Sequence, residues 1–85
     1  MTIAQAIIGT RVRSTRDFVD VPKGTEGVVV SDYGTGVMVG WHLPDTEGAL
    51  PANWKDFAEA WAINCPFLRD GFDKRTELHW LEVVK

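Results

Sequence analysis

The chain predicts a mainly β protein, a small barrel of about five strands with one α-helix inserted near residues 53–65. Three observations predict it. Residues 27–31 and 36–41 are apolar, β-branched runs flanking Asp32-Tyr33-Gly34-Thr35, a turn in which Gly supplies positive φ without steric cost. Trp54, Phe57, Ala58, Trp61 and Cys65 recur at the spacing of one helical face, with Lys55, Asp56 and Glu59 off it. The 85 residues, 45% of them hydrophobic, give room for a single domain with one small core, and four Trp with four Phe concentrate the buried area in a few large side chains.

Residues 2–8 are short and apolar, and read either as a helical turn or as a lead-in to a strand. Residues 9–14 turn Arg11 and Arg13 outward and Val12 inward, the period of a half-buried first strand. Residues 15–24 carry Pro22 and Gly24 but also Phe18, Val19 and Val21, so a long loop folding back on the barrel is expected. In the hairpin, alternation puts Val28 and Val30 on one face of the first strand, and Val37, Val39 and Trp41 on one face of the second. Gly27 and Gly40 permit the bending that closes a small barrel. Residues 43–50 form a polar connection. Asn53 caps the predicted helix, Asp56 complements its dipole, and Pro66 ends it. Residues 67–74 read as an extended segment broken at Asp70-Gly71, residues 75–80 as one tight helical turn, and residues 81–84 as the closing strand. The whole chain is one domain, with the insertion at about 43–75.

Charge is unevenly placed. Residues 1–25 carry Arg11, Arg13, Arg16 and Lys23 against Asp17 and Asp20, whereas residues 26–85 hold five basic and ten acidic side chains, for a net charge of -3 overall. Nucleic-acid affinity rests on phosphate neutralisation by a clearly basic surface, which this balance opposes. Cys65 is the sole cysteine, which rules out an intramolecular disulfide, and the opening MTIAQAIIGT lacks the basic start and long apolar run of a signal peptide. A cytoplasmic location follows as the expectation. No apolar stretch approaches the roughly 20 residues of a membrane-spanning helix.

Gly9-Thr10-Arg11-Val12-Arg13, Pro22-Lys23-Gly24-Thr25-Glu26-Gly27-Val28-Val29, Val37-Met38-Val39-Gly40-Trp41 and Leu81-Glu82-Val83-Val84 together resemble the strand order of small SH3-like barrels, including the KOW type. The G-x-R-V-R start, the G-x-E-G-x-V second strand and the ending from His79 to Val83 are also similar to the variable chain of ferredoxin-thioredoxin reductase. That resemblance implies an accessory barrel that docks against a catalytic partner and has no chemistry of its own. The Trp-rich insertion between Leu43 and Arg75 departs from both families and alters the surface a partner would meet.

Catalytic and metal signatures are sparse. His42, His79 and Cys65 are the candidates for a metal site or a nucleophile pair, but no C-x-x-C or H-x-x-x-H spacing supports one. Cys65 reads as a core residue instead. The Gly24-to-Gly27 and Gly34-to-Gly36 segments lack the Lys-Ser/Thr ending of a phosphate loop and read as turns. The chain is therefore expected to be no enzyme, and to need no cofactor or metal. Its expected role is that of a protein-interaction module, an accessory or regulatory subunit on a larger protein. The alternatives are a KOW-like nucleic-acid contact and a phage-encoded inhibitor of a host protein. Candidate partner-binding residues are the basic set Arg11, Arg13 and Arg16 and the aromatics Tyr33, Trp41, Trp54 and Trp80, since Trp, Tyr and Arg dominate interface hot spots. The helical stripe around Trp61 reads first as core.

Overall fold

The computed structural model describes residues 1–43, 53–57 and 68–84. Five antiparallel strands form one sheet curled into a half-barrel: β1 (Arg11–Ser14), β2 (Glu26–Asp32), β3 (Gly36–Trp41), β4 (Arg69–Asp73) and β5 (Leu81–Val83), in the order β4-β3-β2-β1-β5. Short 3-10 helices at Ile3–Gln5, Trp54–Phe57 and Leu78–Trp80 complete the described elements. No helix among the described residues is long and apolar enough to cross a membrane.

The β2–β3 hairpin forms as the alternation predicts. Gly27 lies opposite Trp41, Val29 opposite Val39 and Asp32 opposite Val37, around a turn in which Gly34 takes a φ of 88°. Asp32 sets that turn, because its Oδ1 accepts from the Gly34 N–H at 2.9 Å. Between Val29 and Ser31 the register shifts, a bulge that inserts Val30 and adds the local twist a curled sheet needs.

Register decides which side of β2 enters the main core. Val29 joins Val12, Val37, Val39, Trp41, Phe72 and Leu81 in one buried cluster. Val28 and Val30 are buried as well but stand outside that cluster, Val28 opposite Gly40. Gly27 is required where it is: a Cβ there would meet the Gly40 carbonyl oxygen and lie 2.9 Å from Cε3 of Trp41. The indole thus sits over the glycine directly across the ladder.

β4 runs unbroken through Asp70-Gly71, where the sequence reading expected an interruption. The strand survives its glycine because Asp70 and Phe72 face inward on either side of it: Asp70 Oδ2 accepts from Trp41 Nε1 at 2.8 Å, and Phe72 is buried against Trp41. At the far end Val12 pairs with Val83 and Ser14 with Leu81, so β5 closes against β1. Ser14 is buried yet satisfied, its hydroxyl donating to the Pro22 carbonyl at 3.1 Å and accepting from the Thr25 N–H at 3.2 Å.

The helix expected over residues 53–65 is described only at its start, where Trp54–Phe57 is a 3-10 helix. Residues 58–65, with Trp61 and Cys65, lie outside the described residues. The start is anchored to β2 and the end of β3: Lys55 Nζ lies 3.0 Å from Glu26 Oε2, and the Trp54 ring packs 5.9 Å from that of His42.

Candidate functional site

Residues 15–24 double back on the sheet, and their own hydrogen bonds explain the shape. Asp17 Oδ1 accepts from the Lys23 N–H at 2.7 Å. Phe18 and Val21 exchange both backbone hydrogen bonds, at 2.8 and 3.0 Å, around a two-residue tip formed by Val19 and Asp20. Asp20 takes a φ of 62°, a region that aspartate tolerates better than β-branched residues do.

The turn sends Phe18 inward and Val19 outward. Phe18 packs edge-on to Phe72 at 5.4 Å between ring centroids and lies 6.0 Å from Trp41 and 6.1 Å from Trp80. Val19 is 88% exposed, an apolar β-branched side chain held at the tip of an ordered turn.

Between this loop and β4 lies a cleft of about 410 Å³, open to solvent. Phe18, Phe72 and Trp80 supply its aromatic walls and Val19 its lip. Arg16 lies with its guanidinium carbon 4.7 Å from the Trp80 ring centroid, a cation–π contact at a half-exposed site. The acidic lining residues are Asp17, Asp70 and Glu77. Each uses one oxygen within the fold, Asp17 on Lys23, Asp70 on Trp41 and Glu77 on the Asp73 N–H at 2.8 Å, so their positions are fixed. Three carboxylates against one guanidinium make the cleft acidic.

Of the seven residues singled out from the sequence, the structure brings Arg16 and Trp80 together in this cleft. Arg13 is paired on β1, its Nη2 3.6 Å from Glu82 Oε1 and its backbone opposite Glu26. Arg11 is half-buried opposite Val28. Tyr33 is 50% exposed and lies over the outer side of the β3–β4 ladder, where a Cβ on Gly71 would be 3.0 Å from its hydroxyl. Trp41 and Trp54 are buried and present no face to a partner. Trp41 serves the core instead, and Trp54 packs beneath Lys55, whose ammonium lies 5.8 Å from the ring.

The sequence singles out as binding residues neither Asp17, Phe18 and Val19 of the loop nor Asp70, Phe72 and Glu77 opposite them. The readable signal was Val19 itself, an apolar residue inside a loop of charges, Pro and Gly. Among the described residues no group of three His, Cys, Asp or Glu side chains is placed to hold a metal ion. His79 is exposed and packs edge-on to Trp80 at 5.2 Å, while Cys65 lies outside the described residues. No protein-family model, curated protein or solved structure matches the chain, so its assignment rests on the geometry above.

Proposed function

We propose that this chain is a small SH3-like barrel acting as a non-catalytic interaction module, an accessory or regulatory subunit that takes a segment of a larger protein into the cleft between residues 16–19 and β4. The strand order β4-β3-β2-β1-β5, with a 3-10 turn leading into the last strand, supports the barrel reading. The observation that carries the docking reading is Val19. A turn with two mutual hydrogen bonds holds this valine at 88% exposure on the lip of an aromatic-walled cleft, where it extends the apolar surface of Phe18 and Trp80 into one contiguous face. Arg16, its guanidinium carbon 4.7 Å from the Trp80 ring centroid, adds an Arg–Trp pair, two residue types enriched among interface anchors.

A nucleic-acid role draws less support. Arg13 has Glu82 3.6 Å away on the neighbouring strand, Arg11 is half-buried, and the exposed Arg16 stands among Asp17, Asp70 and Glu77.

The test compares the wild-type protein with Val19→Asp and Trp80→Ala as immobilised baits in extract of the source cells, followed by reconstitution of the retained protein from purified components. Binding that survives purification and falls at least about tenfold in both variants supports the reading, a loss typical of hot-spot truncation. Equal binding by all three baits places the interaction elsewhere and overturns it.

A further inference from the structure

We infer that the cleft receives its partner as an added β-strand, an extended basic segment of a partner protein that pairs with the outer edge of β4 at Gly71. This inference rests on the docking reading above and specifies its mode.

Among the described residues β4 is an edge strand, with β3 on one side and no strand on the other. At the two ends of the β3–β4 ladder, Trp41 N donates to Leu68 O at 2.8 Å and Lys74 N to Thr35 O at 3.0 Å. The register between them is unbroken. Hydrogen-bonded pairs alternate along an antiparallel ladder, so Asp70 and Phe72 direct their N–H and C=O toward β3, whereas Arg69, Gly71 and Asp73 direct theirs away from it. Asp73 is already satisfied, because its N–H donates to Glu77 Oε1 and its carbonyl accepts from the Glu77 N–H at 2.9 Å. Gly71 has no such partner among the described residues, and it lines the cleft with Asp70 and Phe72.

One donor and one acceptor on the cleft side of an exposed strand are what an incoming extended backbone pairs with. Charges at Arg69, Asp70 and Asp73 guard this edge against indiscriminate pairing of strands. The carboxylates of Asp17, Asp70 and Glu77 select among partners, favouring a segment with Lys or Arg beside apolar side chains that meet Phe18, Val19 and Trp80.

The experiment selects eight-residue peptides from a random displayed library on the immobilised full chain, synthesises the best binder, and prepares two versions N-methylated at alternate residues in opposite phase. Strand addition predicts that one phase loses at least about tenfold in affinity while the other binds nearly as the parent, because only one set of amides faces β4. Selected peptides should carry net positive charge and bind more weakly in added salt. On the protein side, Gly71→Pro removes the outward N–H without touching the ladder to β3 and should weaken binding, with Gly71→Ala as the control that retains it. The N-methylated pair stands independently of whether Gly71→Pro folds.

Binding that is lost in Val19→Asp and Trp80→Ala but indifferent to methylation in both phases overturns strand addition and leaves the cleft as the site. Peptides that bind those two variants as they bind wild type overturn both readings, and so does a library that yields no binder. Selection of acidic peptides overturns the basic segment.

Discussion

At Gly27 one missing carbon decides how the hairpin packs. The Trp41 ring occupies the space above it, and a side chain there would collide with the Gly40 carbonyl and with Cε3 of Trp41, as well as approach Val39 Cγ1 at 3.1 Å. All three of those groups are backbone or fully buried, so none yields cheaply. Gly27→Val should destabilise by about 1–3 kcal/mol or more through overpacking, read as a lower midpoint in urea with a similar slope. Asp32 makes a subtler prediction. The Gly34 N–H and then the Lys74 ammonium hold its carboxyl below the usual aspartate range. A group whose folded pKa is depressed contributes stability above its unfolded value, near 3.9, and loses that contribution as pH falls through the folded value. Asp32→Asn should therefore be less stable than wild type at neutral pH, with the difference vanishing in strong acid. A difference unchanged from neutral pH down to pH about 2 would assign the effect to something other than the carboxylate charge.

Among the elements, the residue 15–24 loop shows how a connection becomes part of the core. Phe18 reaches Trp41, Phe72 and Trp80 at once, tying the loop to β3, β4 and the last 3-10 turn. Phe18→Ala should cost about 2–4 kcal/mol, toward the lower part of the range for core aromatics because the ring is half-buried. It should also raise the hydrogen-exchange rate of the Phe18 and Val21 amides, which bond only to one another. Unchanged exchange there would mean that the turn is held by its own hydrogen bonds alone. The strands themselves were legible in the sequence because each is a local alternation: Arg11–Ser14, the hairpin and Leu81–Val83 fall close to where the pattern puts them. Which face of β2 joins the main core was not legible. It depends on the cross-strand register, which sets Val29 against Val39, and on a bulge that no local pattern marks. The continuity of β4 was hidden for a similar reason, since Asp70-Gly71 reads as a turn until Trp41 Nε1 is seen to bond the aspartate. The cleft was half legible: Arg16 and Trp80 were drawn from residue type, but their meeting needs a separation of 64 positions to close through the loop and β5.

For the whole molecule, the sheet joins distant parts of the chain, most of all where Val12 pairs with Val83. Such pairing makes closure costly before it is rewarded, so folding in milliseconds to seconds is expected, measured by stopped-flow Trp fluorescence. The electrostatics also act at this scale. With net charge -3 and Arg13 held by Glu82, association with labelled single- or double-stranded oligonucleotides at physiological salt should be weak. Submicromolar binding that Arg11, Arg13 and Arg16 to Ala abolishes and salt steeply weakens would favour the nucleic-acid role over the protein one. The antiparallel closure of β5 on β1 has a mechanical side too. Residue 11 begins β1 beside the end of β5, where Val84 N donates to Arg11 O at 2.9 Å. A pull applied at positions 10 and 84 therefore loads that pair first and peels the ladder one bond after another, rather than shearing all of its bonds together. Tugged along this line the domain yields at low force, while the β2–β3 ladder behind it is loaded only once β5 has come away.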